Sequence, residues 1–267
     1  MDDLQFRQLI ERLDLSWAGY RKVRKGVKKR IARHIQSLGC RNMTEYLQEL
    51  GKSDVVRQEC DRLMTVSISR FFRDRGLWLT LGNEILPDLI EKQREKLRVW
   101  SAGCASGEEV YSFRILWDDM KKHFRHLPRL EIIGSDMNPD YLSRSRAGIY
   151  PRGSLREIEE SLRPLYFEAE ANGKRYAVKP QFKEEIVWRE HHLLSDDPPG
   201  SDFHIIFLRN NLLTYYEDRL KKKGFRKVRE SLTRSGFLII GSHEKLPSES
   251  TDFIPLTSCS CVFRKRG

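Results

Sequence analysis

Apolar and polar positions follow two different rhythms along the chain. Up to residue 63 apolar side chains recur three and four positions apart, the period of a helix with one buried face. Trp17, Tyr20, Val23, Val27, Ile31 and Ile35 form one such stripe, and Gly39 suits the position just past a helix end. Further helices are expected over about 44–50, with Thr44 as N-cap, and over about 54–64. Helical spacing resumes at 77–96, with Gly82 and Pro87 as expected breaks. Beyond residue 97 short apolar runs alternate with amphipathic stretches. Strands are expected at 98–101, 130–135, 185–189, 203–208, 237–241 and 259–264, and helices at about 108–123, from Asn138, and at 218–233. This alternation predicts an α/β fold with a Rossmann-like, largely parallel sheet. Residues 149–182 break the rhythm and read as an inserted subdomain, with 176–178 as a strand. The expected organisation is a helical domain over 1–64, a linker and linking helix over 65–96, and an α/β domain over 97–267.

Two stretches fit neither rhythm. In 65–74, Thr-Val-Ser-Ile-Ser-Arg-Phe-Phe-Arg-Asp, hydroxyls and arginines surround two aromatics. The phenylalanines are expected to plug a domain interface, and the polar residues are candidates to line a cleft. In 97–113 an apolar run ends in Ser-Ala-Gly-Cys-Ala-Ser-Gly and gives way to Glu108 and Glu109 at a helix start. Such a turn, at the carboxyl end of a strand, is where open α/β sheets bind ligands. Gly103 and Gly107 permit positive φ and a close ligand approach there.

Charge sharpens the first domain. The chain carries a net +11, and no acid lies between Asp14 and Glu45, where nine lysines and arginines fall. Arg24, Lys25, Lys28 and Lys29 are therefore candidates to dock an acidic partner. Five scattered cysteines point to a reduced, cytoplasmic protein. Cys259 and Cys261 are expected on one face of a final strand rather than at a metal, and no metal site is expected. No apolar run approaches the roughly 18 residues needed to span a bilayer.

Asp136 ends the second predicted strand, the position of a ribose-binding acid in Rossmann-like units. The absence of a GxGxxG pattern argues against a dinucleotide, and two glutamates at the turn would repel a pyrophosphate. A cationic ligand carrying a ribose fits better, and S-adenosylmethionine, with its sulfonium and ammonium groups, is such a ligand.

Residues 97–112 resemble the adenosylmethionine loop of the CheR family of chemotaxis-receptor methyltransferases, approximately WSAGCATGEEPYS. Five further blocks match in order: 69–74 resembles T-x-F-F-R-D, 134–138 A-T/S-D-I-D, 146–150 A-R-A-G-I-Y, 206–210 I-F-C-R-N, and 241–244 G-H-S-E. The resemblance implies a class I methyltransferase domain behind a small helical domain, with an inserted antiparallel subdomain. It implies methyl transfer from adenosylmethionine to glutamate side chains, leaving S-adenosylhomocysteine. It places Ser67, Ser69 and Arg73 at the methionine end and reacting methyl, and Glu108 or Glu109 at the ammonium. Asp136 falls at the ribose, His192 and Leu193 at the adenine, and Arg209 and Asn210 at the pocket floor. The family's tyrosine beyond Arg-Asn is shifted by one position to Tyr215, a candidate catalytic residue with Arg73. The sequence also departs from the family at Val110, His192, His204 and the Gly-Ser-His-Glu order of 241–244. The expected partner is an acidic protein, chemoreceptor methylation helices among the candidates, met by a monomeric enzyme. Two other readings remain: methyl transfer to another acceptor such as RNA or a small molecule, or a non-catalytic adenosylmethionine-binding module. Against RNA, no aromatic stacking platform interleaves with the basic run.

Overall fold

A computed structural model describes residues 1–170 and 173–267. The first five helices are α1 (Asp3–Arg12), α2 (Trp17–Tyr20), α3 (Arg24–Ser37), α4 (Met43–Lys52) and α5 (Asp54–Met64). They close around a core of their own that includes Phe6, Leu9, Ile31, Tyr46 and Met64. The stripe from Trp17 to Ile35 is not one helix; it turns between α2 and α3, so Tyr20 and Val27 reach that core from two segments. The N-cap of α4 is Asn42, whose side chain accepts from Glu45 N at 3.0 Å, and Thr44 lies inside the first turn. Asn competes well for this position because its short carbonyl reaches the free amides.

Gly82 and Pro87 do not break the linking helix. α6 (Arg75–Thr80) runs through a π turn at Leu81–Ile85 into α7 (Leu86–Lys92). Leu86 N bonds to Leu81 O, five residues back. The widened turn accommodates the proline's missing N–H. Gly82 meets Leu116 of the following helix.

The α/β part contains β1 (Lys96–Ala102), α8 (Glu108–Met120), β2 (Arg129–Asp136) and α9 (Pro139–Ala147). An inserted antiparallel sheet follows, from β3 (Ile149–Pro151), α10 (Arg163–Tyr166), β4 (Phe167–Ala169) and β5 (Arg175–Val178), in the order β3-β5-β4. The main sheet resumes with β6 (Ile186–Glu190) and β7 (Phe203–Leu208). It is completed by α11 (Leu212–Tyr215), α12 (Asp218–Ser231), β8 (Leu232–Ile240), β9 (Phe253–Pro255) and β10 (Val262–Lys265). Its order is β6-β2-β1-β7-β8-β10-β9, parallel from β6 to β8, with β10 antiparallel to both its neighbours. All six residues of β7 are buried, as a strand covered on both faces requires. Each large apolar side chain buried there contributes about 1.5–3 kcal/mol. Chain order reverses between β1 and β7, so the crevice beyond their carboxyl ends is the switch point where open α/β sheets take ligands.

Cys259 and Cys261 precede β10 rather than lying in it; their sulfurs meet at 3.2 Å across the turn. Among the described residues no helix is long and apolar enough to cross a membrane. No group of three or more His, Cys, Asp or Glu side chains among them is arranged to hold a metal ion.

Candidate active site

The site begins where β1 ends. Gly103 N and Cys104 N both donate to Ser135 O at 2.8 Å, locking the turn against the end of β2. Gly103 and Gly107 adopt φ of +80° and +89°, conformations that favour glycine. Their missing side chains leave room for protein as much as for ligand. A Cβ on Gly103 would collide with the Asn211 amide, and one on Gly107 with Trp188 and Ser145. Asn211 donates to Ala102 O and accepts from Leu212 N, so it ties the β1 loop to the β7 loop.

Asp136 closes the turn from the neighbouring strand. Its Oδ2 accepts from Ala105 N and its Oδ1 from Asn138 N, both at 2.9 Å. Burial pushes its pKa up to about 6, against the opposing pull of the Asn138, Ala105 and Met137 amides. Its negative charge is thus held at a desolvation cost, which further hydrogen-bond donors would relieve.

The two glutamates play different parts. Glu109 accepts from Ser101 Oγ and from Arg209 Nη1, each at 2.8 Å. The other arm of Arg209 bonds Asp74. Burial alone would depress the Arg209 pKa, but Glu109 and Asp74 outweigh it and hold it above its ordinary value. Glu108 is only 5 % exposed. Burial raises its pKa, with its own backbone amide and Ser69 pulling the other way. Its Oε2 and the Nε of Arg209 are buried polar atoms without a protein partner. Around the cavity there thus lie an unpartnered carboxylate oxygen just behind its wall, an unpartnered guanidinium N–H, and the unpartnered Nδ1 of His191, a mixed polar set that suits a ligand carrying both donors and acceptors.

The linker brings a third wall. Phe71 is fully buried against Tyr150 and Phe167 of the inserted subdomain, with ring centroids 4.9 and 5.0 Å away. Phe72 packs on Trp78 at 5.3 Å. These two adjacent anchors fix the backbone on either side of them, where Ser69, Arg70 and Arg73 line the crevice. Thr65 contributes a second clasp, accepting from Asn138 Nδ2 at 3.1 Å and meeting Tyr141 Oη at 3.3 Å.

The fourth wall follows β7. Asn210 takes φ +55°, and its N–H donates to Glu244 Oε2 at 2.8 Å. The same oxygen accepts from Gly241 N at 2.6 Å, and Oε1 from Thr214 Oγ1 at 2.5 Å. The N-terminal helices close over this loop: Ser16 N donates to Tyr215 O at 2.8 Å, and the rings of Tyr20 and Tyr215 lie 4.9 Å apart.

These walls enclose a cavity of about 330 Å³. Of the residues anticipated from sequence, Ser69, Arg73, Gly103, Glu109, Asp136, Leu193, Arg209, Asn210 and Tyr215 line it. Ser67, Glu108 and His192 do not. His192 turns its Nδ1 to the amides of Leu194 and Ser195, both at 3.3 Å, and its neighbour His191 reaches the cavity instead. The chain enters this loop after β6, whose final register places His191 N on Asp136 O, and that bond sets which of the two histidines faces inward. Asp74, Asn211, Glu244 and Tyr141 escaped the sequence reading of the site, whereas Thr65 lines it as one of the hydroxyls of 65–74 expected at a cleft. Asp74 and Glu244 had signals, since both end blocks of the family resemblance.

The basic helix also differs from expectation. Although no acid lies near it in sequence, Asp3 of α1 pairs with Arg24 at 3.1 Å and with Lys28 at 2.9 Å. Helix packing brings a distant carboxylate onto the run, leaving Lys25 and Lys29 exposed.

The family model for the CheR methyltransferase SAM-binding domain matches residues 67–262, which take in most of the linker, the inserted sheet, the main sheet up to the start of β10, and most of the cavity wall beyond the N-terminal helices. The chain belongs to the CheR family. A chemotaxis protein methyltransferase of Listeria monocytogenes is 34% identical over 246 residues, covering 92% of this chain and 90% of the relative. One from Borreliella burgdorferi is 28% identical over 227 residues, 82% of this chain and 80% of the relative. Chemotaxis protein methyltransferase 1 of Pseudomonas aeruginosa is 27% identical over 241 residues, 88% and 86% respectively. As a CheR-family member this chain is an S-adenosylmethionine-dependent methyltransferase.

The fold also accounts for one departure from the family pattern. His204, where the family carries aspartate, lies inside β7 and its Nδ1 accepts from Arg98 N at 3.0 Å. Burial, then Arg98, hold its pKa below the usual histidine value, which keeps that nitrogen an acceptor. His204 is thus a strand-pairing residue and does not line the cavity.

Proposed function

We propose that this chain transfers the methyl group of adenosylmethionine to glutamate side chains of an acidic protein, with chemoreceptor methylation helices as the fitting class. The observation that carries this reading is Arg73. It lines the cavity, donates to Ile68 O at 2.8 Å, and has no carboxylate partner among the described residues. Nearby Arg70 and Arg209 are both paired, with Glu157 and with Glu109 and Asp74. An unpaired guanidinium in the wall is complementary to an acceptor carboxylate.

Adenosylmethionine supplies an electrophilic methyl carbon on its sulfonium. A glutamate carboxylate is already ionised at pH 7, so the protein needs no general base; it contributes alignment and exclusion of water. In this reading Asp136 accepts from the ribose hydroxyls. Glu108 and Glu109 supply negative charge beside the amino-acid end, Arg209 takes its carboxylate, and Ser69, with Ser67 behind it, bounds that end. His191 and Leu193 flank the adenine, and Asn210 forms the floor. Burial and Glu244 raise the Tyr215 pKa, with Arg73 opposing, so its hydroxyl keeps its proton and can donate to the acceptor. Lys25 and Lys29 offer long-range attraction to an acidic substrate, and Arg24 and Lys28 offer less because Asp3 already engages them.

The test is methyl-labelling of a receptor-containing lysate with labelled adenosylmethionine, followed by mild base. A glutamyl ester releases volatile methanol. Label that survives base, or that partitions with RNA, would overturn the glutamate assignment.

A further inference from the structure

The catalytic cavity has a basic continuation. A second cavity, of about 650 Å³, shares Gly19, Lys22, Asn210 and Thr214 with the first. A third, of about 310 Å³, shares Lys222 and Pro247 with the second, and its own Glu249 binds Lys222. The three follow one another from the site, past the 243–248 loop, along the outer face of α12. This track is separate from α3, and nothing in the methyl-transfer chemistry described above uses it.

Its electrostatics favour anions. Lys245 in the second cavity and Lys223 and Arg226 in the third are exposed and have no carboxylate partner among the described residues. Lys221 is paired with Asp218 at 3.4 Å, and Lys222 with Glu249. Glu244, although it lines the second cavity, spends both oxygens on Asn210 N, Gly241 N and Thr214 Oγ1. Its charge is committed to the fold. The walls present no exposed Phe, Tyr or Trp ring; Phe225, in the third cavity, is only 4 % exposed. Nucleic acid would want stacking surfaces here. A polypeptide carrying carboxylates needs only the cations.

We propose that this track binds an acidic polypeptide segment, the part of the substrate that flanks the methylated side chain. A side chain entering the first cavity requires its backbone to lie across the mouth. The second cavity, which shares a wall with the first, is where that backbone continues. The cations then set both affinity and direction along the substrate. The proposal rests on the glutamate-acceptor reading for the substrate's identity, but its test does not depend on methyl transfer.

The experiment measures binding of fluorescein-labelled poly-L-glutamate to the full chain by anisotropy, in the wild type and in the Lys223→Glu/Arg226→Glu/Lys245→Glu variant. S-adenosylhomocysteine affinity, read by calorimetry, checks that the variant is folded. The expected result is about a tenfold weaker Kd for the variant, a wild-type Kd that weakens with salt more steeply than the variant's, and unchanged S-adenosylhomocysteine affinity. A Kd within about twofold of wild type in a folded variant overturns the proposal. So does displacement of poly-L-glutamate by oligouridylate at lower concentration than by unlabelled poly-L-glutamate. Should the variant fail the folding check, the single substitution Lys245→Glu, in an exposed loop, is read in the same way with a proportionally smaller loss. Failure of the glutamate-acceptor reading shows elsewhere, as base-stable label with poly-L-glutamate binding intact.

Discussion

Replacing Asp136 by asparagine separates two roles that burial has fused. The carboxylate is 8 % exposed, and its pKa stands at about 6 against an ordinary value of 3.8. That difference corresponds to about 3 kcal/mol of destabilisation of the folded chain at neutral pH. Because the pKa is raised, the native state binds more protons than the unfolded one between these two values. Stability therefore falls as pH rises through that window, opposite to a salt-bridged aspartate. Asparagine removes the buried charge but has a single acceptor oxygen, so one of Ala105 N and Asn138 N loses its partner, at about 1–3 kcal/mol. The two effects offset, and urea unfolding of the ligand-free variant should stay within about 2 kcal/mol of wild type. Ligand affinity has no such offset. Two hydrogen bonds from a ribose diol to a buried carboxylate are worth about 1.5–3 kcal/mol each, so S-adenosylhomocysteine should bind at least about 100-fold more weakly to the variant by calorimetry. In the wild type the same affinity should decline as pH falls below about 6, where Asp136 must first lose a proton. An affinity in the variant within about threefold of wild type, or a wild-type affinity flat across that pH range, would refute the ribose role.

Arg209→Met leaves Glu109 and Asp74 facing one another without their cation; chemical unfolding should show a loss of about 3–5 kcal/mol. An unchanged midpoint would mean that the carboxylates find another partner. Arg73→Ala should lower kcat for a protein substrate while S-adenosylhomocysteine affinity, read by calorimetry, stays close to wild type; equal losses in both would contradict an orienting role. Gly103→Ala combines φ +80° with a collision against the Asn211 amide. It should cost more than about 1 kcal/mol of stability and weaken S-adenosylhomocysteine as well, whereas a neutral effect on both would show that the turn can relax.

The apolar pattern was a good guide wherever local periodicity and tertiary burial agree. The run 203–208 reads as a buried parallel strand and is one, because its two covered faces demand apolar residues at five of its six positions and a partnered polar one, His204, at the sixth. The pattern misled where a distant segment supplies what the local sequence lacks. Pro87 looks like a helix breaker, yet a π turn absorbs it within a helix packed against the sheet. The stretch 259–264 alternates like a strand, but pairing with β8 and β9 begins only at Val262. The linker aromatics were legible as plugs; that Phe71 enters the insert while Phe72 turns to Trp78 was not.

By itself the sequence determined the chemistry-bearing turn: a strand, two glycines, paired glutamates, and Asp136 one strand over. Those choices follow from short-range rules of backbone conformation and charge, which a linear pattern records. The division of labour among the residues was decided only in three dimensions. Glu109 is committed to Arg209 while Glu108 keeps a free oxygen; His191 faces the cavity while His192 caps a turn; Asp3 engages two of the four candidate docking cations, Arg24 and Lys28, from far away in sequence. Each outcome depends on which group from another segment arrives within hydrogen-bonding distance, and Coulomb and hydrogen-bond energies fall off over a few ångströms of space irrespective of separation along the chain.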